Sequence, residues 1–446
     1  MTYRSFVVSC IFAFSLLAGL PARAGDAIGL EARLAQPIMK EGATQKAYLR
    51  VALQGCKPEP KQNRTPVNVA FVIDRSGSMA GDRIAQARAA AAMAISRLDA
   101  KDIASVVIFD QSVDVLVPAQ PVTDPGHFTD LIARVQARGS TAIHAGVLSG
   151  ALEVRKSLDP GRLNRVVLLS DGQANIGPSQ PSDFAMLGQT LLQQGISVST
   201  VGLGLGYNED LMLQLARSSD GNHAFARDPS DLITIFNKEF DDVLASCAQT
   251  VSIDIELKPG VRAVRSLSRD AKIDGAHAQF RLNQVYAATE HYVLLEVEVD
   301  QSVASGEQEL GHVKVAYTLP ASGERRSLDS KINARFTASD KEAAASSDPQ
   351  VAEAVVEQLT RERARRAVVL QDQGKVKEAR ELLMQNAGEI NGLLATMPLS
   401  QRMLDLKETY HALGARAAPA TAGDLNLGRK VLRQIDAGSA GSGVRY

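Results

Sequence analysis

Val67-Asn68-Val69-Ala70-Phe71-Val72-Ile73-Asp74-Arg75-Ser76-Gly77-Ser78 decides how the chain is read. Val67–Ile73 is a short apolar run of strand length, rich in β-branched and aromatic side chains. Asp74, Arg75, Ser76, Gly77 and Ser78 follow at once, a polar loop at the carboxyl end of that strand. Asp82 then caps a helix whose apolar positions Ile84, Ala87, Ala91, Ile95 and Leu98 recur at three and four.

Downstream the same alternation repeats. Short β-branched runs stand at Ile103–Phe109, Val166–Leu169 and Ile196–Val201. Helical segments lie near Phe128–Val135, His144–Ser157, Asp183–Gln194, Glu209–Ser218 and Asp231–Leu244. Buried strands alternating with helices predict an α/β fold, a doubly wound, mainly parallel sheet with helices on both faces. Val113–Val117, close behind Phe109, fits an antiparallel edge hairpin. This unit spans 66–246.

The flanks read differently. Residues 25–65 are an extended segment with an alternating strand at Tyr48–Leu53, then a linker rich in Pro, Lys, Gln and Asn. From Val251 the period falls to two (Val251, Ile253, Ile255, Leu257; Leu295, Val297, Val299; Val313, Val315, Tyr317). That pattern predicts a small antiparallel sandwich over 247–338, open to completion by the strand near Leu49–Leu53. Residues 350–435 read as helical: a hairpin of Val351–Gln373 and Lys375–Leu394 broken at Gly374, with a further helix over Gln401–Leu413. The run Arg361, Arg363, Arg365, Arg366 reads as a solvated helix face, and 436–446 as a disordered tail.

Compartment follows from the first residues. Arg4, the apolar run Phe6–Leu20 and Ala22-Arg23-Ala24 make a secretory signal peptide over residues 1–24, cleaved after Ala24. The alternative is an N-terminal membrane anchor, for which the run is short. No later segment reaches spanning length, so the reading is a periplasmic or secreted protein with no transmembrane span in the mature chain. Cleavage removes Arg4 and Arg23 and no acid, taking the net charge from −1 to −3. Lys+Arg 49 against Asp+Glu 50 lacks the basic excess that phosphate backbones require, which argues against nucleic acid. Cys10 leaves with the signal, and an oxidising compartment would pair the remaining two, Cys56 and Cys247. They bracket the parallel-sheet unit, where the entering strand and final helix are expected to meet opposite the polar loops.

Three segments hold donors able to share one ion: Asp74-x-Ser76-x-Ser78, Gly139-Ser140-Thr141 and Ser170-Asp171-Gly172. In a parallel α/β sheet the carboxyl ends of strands lie along one edge, so these loops converge there. Two carboxylates and three hydroxyls form an all-oxygen set suited to Mg²⁺, with Mn²⁺ or Ca²⁺ as alternatives. Zn²⁺ is disfavoured, because none of the three segments holds His or Cys. Asp74, Ser76, Ser78, Thr141 and Asp171 resemble the metal-ion-dependent adhesion site of von Willebrand factor A domains. That resemblance covers 66–246, and it implies direct ligation by Ser76 and Ser78. It further implies direct or water-mediated contact from Thr141, mainly water-mediated contact from Asp74 and Asp171, and a partner's carboxylate completing the shell.

Other patterns are weaker. Gly202-Leu203-Gly204-Leu205-Gly206 lacks the third glycine of a dinucleotide loop. Ser170, His144 and Asp171 could be drawn as a hydrolytic triad, but no Gly-x-Ser-x-Gly elbow surrounds Ser170. His144 reads as a solvated or capping residue, and Asn63-Arg64-Thr65 as a chance sequon. No catalytic residue is assigned. The expected function is a metal-dependent protein-binding module of the bacterial envelope, gripping an acidic group of a protein partner. The alternative is an accessory subunit recruiting or regulating an envelope enzyme complex.

Overall fold

A computed structural model describes residues 27–56, 65–159, 161–171, 174–203, 208–226, 235, 246–320, 322–415, 428–433 and 435. The signal segment, the Asn63 sequon, the centre of the glycine-rich loop, nearly all of Asp231–Leu244 and the tail from 436 lie outside them.

The chain enters through β1 (Ile28–Leu34), β2 (Ile38–Lys40) and β3 (Gln45–Gly55). It then departs into the α/β unit. There β4 (Val67–Asp74), β5 (Ile103–Phe109), β6 (Val113–Pro121), β7 (Leu163–Ser170), β8 (Ile196–Leu203) and β9 (His223–Ala226) form one sheet, in the order β6-β5-β4-β7-β8-β9. All neighbours in it are parallel except the β5–β6 hairpin. Every residue of β4, β7 and β8 is buried, as strands covered on both faces require. Asn68 is a buried polar residue near the start of β4; its amide donates to the carbonyls of Val154 (2.8 Å) and Ser157 (3.0 Å) and to Asn164 Oδ1 (2.9 Å).

Helices α1 (Asp82–Ser96) and α2 (Pro125–Ala133) cover one face, contributing Ile84, Ala91, Ile95 and Phe128 to a core with Val69, Phe71 and Ile73. Helices α3 (Ile143–Arg155), α4 (Pro181–Gln193) and α5 (Glu209–Ser218) cover the other, where Val147, Ala151, Phe184 and Leu215 meet Ala70, Val72 and Leu168. Alternate residues of one strand thus feed opposite cores. Gly81 caps α1; Asp82 sits inside the first turn, a correction to its reading as the cap. There it still favours the positive end of the helix.

After β9 the chain returns as β10 (Ser246–Leu257), β11 (Val261–Ser266), β12 (Lys272–Ile273), β13 (His277–Tyr286), β14 (Glu290–Val299), β15 (Gly306–Thr318) and β16 (Arg325–Thr337). These strands build two sheets, β1-β3-β14-β11 and β12-β13-β10-β15-β16-β2, sharing one apolar core. β3 lies in register with β14 from Glu290↔Gln54 to Val299↔Gln45, so the first strands are integral to this sandwich. The α/β unit is therefore an insertion between β3 and β10.

Cys56 and Cys247 are bonded, with Cα atoms 5.9 Å apart. They flank the α/β unit and meet as expected; the structure adds that both flanks belong to the sandwich. One follows β3 in one sheet and the other lies on β10 in the second, so the bridge ties the two sandwich sheets at the neck of the insertion.

Beyond the sandwich the described residues form α6 (Asp340–Ala345), α7 (Pro349–Asp372), α8 (Val376–Leu394) and α9 (Gln401–Gly414), with a further helical segment at 428–433. The turn between α7 and α8 uses Gly374 at φ +78°, a conformation that penalises any Cβ. Val351, Ala354 and Val355 of α7 pack on Ala52 and Leu294, so the helices are seated on the sandwich. Arg361 is not solvated: it is buried against Glu357, which also pairs with Arg402 of α9. Arg363 pairs with Glu389 of α8. The partners lie outside the run, while the interleaved Glu362 pairs with Arg265 of β11. Among the described residues no helix is long and apolar enough to cross a membrane.

Candidate metal centre

β4 and β7 are parallel neighbours, so their carboxyl ends bring Asp74 and Ser170-Asp171 side by side. Beyond Asp74 the chain turns through a single 3-10 turn, Gly77–Met79, anchored by the fully buried Met79. Asp74 Oδ1 accepts the Ser76 amide at 2.7 Å and its Oδ2 accepts the Ser170 hydroxyl. The Ser76 and Ser78 hydroxyl oxygens stand 3.1 Å apart, and Ser78 Oγ donates to Asp171 Oδ1 at 2.7 Å. Arg83, the second residue of α1, pairs with Asp171 Oδ2 and donates to the Ser78 carbonyl at 3.1 Å. Asp74, Ser76, Ser78 and Asp171 are thereby linked in one continuous cluster.

Thr141 reaches the same edge differently. Its loop is fastened to the first one by the backbone: Gly77 donates to the Gly139 carbonyl (2.9 Å) and Arg138 to the Arg75 carbonyl (2.6 Å). Gly139 has φ +73°, and a Cβ there would fall 1.8 Å from Gln111 Oε1, the atom that accepts the Ser140 amide. The Thr141 amide donates to Asn175 Oδ1 at 2.7 Å, and its carbonyl accepts from Asn175 and Ile176. Thr141 is buried beside the cluster, but its hydroxyl takes no part in the hydrogen-bond chain. Its backbone is placed for it; its donor atom is not engaged by the other four.

Burial pushes the Asp74 carboxyl up to about 6, with the nearby Asp171 acting in the same sense and the bonds from Ser170 and Ser76 opposing. Two carboxylates sharing a site hold an excess of negative charge that a cation would relieve. Arg83 supplies part of that relief from the rim. Behind the loop, burial raises Asp110, but bonds from Ser112 and Arg138 and the Arg75 charge outweigh it and bring the carboxyl to about 2. This anionic Asp110 holds Arg75 (3.0 Å) and Arg138 (3.0 Å), stapling the first two loops together.

The donor set fits a hard divalent ion. Adjacent ligands of an octahedral Mg²⁺ at 2.0–2.1 Å stand about 3 Å apart, and the two hydroxyls expected to bind directly, of Ser76 and Ser78, stand at 3.1 Å. Among the described residues no group of three or more His, Cys, Asp or Glu could hold a metal, so any ion at this edge depends on the hydroxyls.

Ser170, Arg83, Asn175 and Asp110 were not identified from the sequence as parts of the site. Ser170 carried a signal, since a hydroxyl one residue before Asp171 points to the neighbouring strand end; the other three depend on loops meeting in space. The triad drawing finds no geometry. The Ser170 hydroxyl is given to Asp74, and the His144 ring packs edge-on to Phe184 at 5.8 Å. His144 is half-buried rather than a solvated cap, and burial lowers its pKa despite the opposing pull of Asp183.

Residues 68–238 match the sequence model of the von Willebrand factor type A domain. The chain carries a von Willebrand factor type A domain. The protein sll0103 of Synechocystis is 28% identical over 316 residues, covering 68% of this chain and 74% of that protein. YfbK of Escherichia coli is 24% identical, covering 64% of this chain and 47% of YfbK. A solved von Willebrand factor type A protein from Catenulispora acidiphila superposes with a TM-score of 0.74 at 15% identity, over 95% of this chain and 99% of that one. The shared fold therefore extends beyond the A domain to the sandwich and helices. A domains of this type generally mediate protein–protein interaction and adhesion.

Proposed function

We propose that this protein is a metal-dependent binding module of the bacterial cell envelope, whose A domain grips an acidic group of a protein partner through one divalent cation. The observation that carries the reading is the linked cluster of Asp74, Ser76, Ser78 and Asp171 at the carboxyl edge of the parallel sheet. Ser76 and Ser78 would hold the ion directly, Thr141 would join them, and Asp74 and Asp171 would balance its charge. When bound, the ion supplies an electrophilic point for a carboxylate, at a site too poor in anionic ligands to satisfy it alone. Ser170 and the Ser76 amide fix Asp74, while Arg83 fixes Asp171, so the cradle is oriented before the ion arrives. Export to the periplasm or beyond, through the segment ending at Ala24, places this surface among envelope partners.

The test is a pull-down from periplasmic extract with Mg²⁺ and with EDTA, alongside melting curves of the wild type and the Ser76→Ala and Asp171→Ala variants. Mg²⁺ at a hundred times its Kd should stabilise the wild type by about 2.7 kcal/mol, and both variants should lose that response and the captured partner. Asp171→Ala relieves repulsion on Asp74 but leaves Arg83 and the Ser78 hydroxyl without their acceptor, so without metal it should melt close to the wild type. Melting that ignores Mg²⁺, Mn²⁺ and Ca²⁺, with no binding in calorimetry, would remove the metal from the reading.

A further inference from the structure

At the opposite edge of the parallel sheet, where the A domain meets the sandwich, a cleft of about 610 Å³ opens between the start of β7 and β8 and the face of β10, β13 and β15. Its size suits a small-molecule ligand, and interfaces between units are where such pockets concentrate. Its lining is not the usual apolar one. Amide side chains and two guanidinium groups, Arg281 and Arg325, surround it.

Three features show a built site. β10 carries a bulge here: Gln249 pairs with Thr318 and Ser252 with Ala316, so three steps on β10 match two on β15. The extra step passes through Thr250 at φ +50°, a conformation costly for a β-branched residue and a mark of backbone held against its preference. Gln249 lines the cleft at 5% exposure, and among the described residues its amide nitrogen has no hydrogen-bond partner. A buried amide donor left unpaired costs stability, so its retention in a cavity points to an acceptor that arrives from outside. Arg281 and Arg325 are exposed and have no ion-pair partner among the described residues, while Asp159 on the opposite wall is already engaged by Arg162 at 3.8 Å.

We infer that this cleft binds a small hydroxylated oxyanion of sugar-acid or sugar-phosphate size. The two guanidinium groups take its charged end, since their planar forks match carboxylate or phosphate. The Gln249 amide donates to a hydroxyl or carbonyl oxygen at the buried end. The site is separate from the metal centre, which lies at the other end of β7, so occupancy of one does not require the other.

The experiment is ligand-observed NMR and calorimetry on the full mature chain with D-glucuronate, glucose 6-phosphate, inorganic phosphate and neutral glucose as probes. Gln249→Met and Arg281→Ala/Arg325→Ala variants are compared, with Ser76→Ala as the control for the metal edge. At least one sugar anion should bind with Kd below about 1 mM, at least ten-fold weaker in each cleft variant and unchanged in Ser76→Ala. Preference for glucuronate or for the phosphate ester assigns the source of the charge. Failure of both sugar anions to bind, equal binding by glucose, or binding that survives the arginine replacements would overturn the inference; those arginines are at the surface, so misfolding does not confuse that arm.

Discussion

Reducing the Cys56–Cys247 bridge in otherwise native protein removes the covalent tie at the neck of the inserted A domain. The two cysteines are 191 residues apart, and the chain-entropy relation converts a closed loop of that length into about 5 kcal/mol of unfolded-state destabilisation. That is an upper figure, because denatured chains are more compact than the relation assumes. A lower figure of about 2 kcal/mol marks the weak end for a native bridge in a secreted fold. The reduced protein keeps both side chains, so Cys247, 5% exposed in the sandwich core, still fills its place and the loss reports the cross-link alone. The chain has no tryptophan, so urea unfolding is best followed by far-ultraviolet circular dichroism with and without reductant. The expected result is a midpoint shift matching 2–5 kcal/mol, with two thiols released per chain only on reduction. Coincident curves, or two thiols reacting in protein exported to an oxidising compartment, would refute the placement of the bridge across the sandwich.

Three further outcomes rest on individual contacts. Gly150→Ala improves helix propensity in α3, yet its Cβ would lie 2.4 Å from Val72 Cγ2, so net destabilisation of about 1–3 kcal/mol is expected in calorimetric melting. Burial brings His291 down to about 4, with Asp220 opposing and Arg269 reinforcing, so the folded state holds it neutral while the unfolded chain protonates near 6.5. Stability should therefore decline as pH falls from about 6.5 towards 4, by up to about 3 kcal/mol from this group, and His291→Phe should flatten that slope in pH-dependent urea titrations. Lys430, 1% exposed, donates to Glu209 at 2.9 Å, so Lys430→Met should cost about 3 kcal/mol and expose the 428–433 helix to limited proteolysis, which Glu209→Gln/Lys430→Met should partly reverse.

Legibility in the sequence followed the range of the interactions involved. β4, β7 and β8 were readable because strands covered on both faces are mostly apolar, and the meeting of Asp74, Ser76, Ser78 and Asp171 because they stand at or shortly after the carboxyl ends of β4 and β7. The doubly wound order came with them, since a parallel pair needs a helical crossover. An alternating strand fits any half-buried sheet, so the segment near Leu49–Leu53 could be read only as open to completing the sandwich; its pairing with β14, some 240 residues later, bears that out, while the partner strand and register depend on contacts no local pattern encodes. The surroundings of the bridge were out of reach for the same reason. Counting cysteines paired Cys56 with Cys247 correctly, but their position depended on a sandwich whose first half precedes the A domain. Arg361 was lost to an assumption about charge: interleaved acids usually solvate a helix face, whereas here Glu357 lies one turn away and Arg402 arrives from another helix to share it. Arg83 is the more instructive case. It sits in an amphipathic helix as one more exposed basic residue, and only the turn of the chain after Asp74 carries α1 back far enough for its guanidinium to reach Asp171. A guanidinium that neutralises Asp171 from the rim would compete for that carboxylate with any cation offered to the same edge, a contact that the fold alone makes visible.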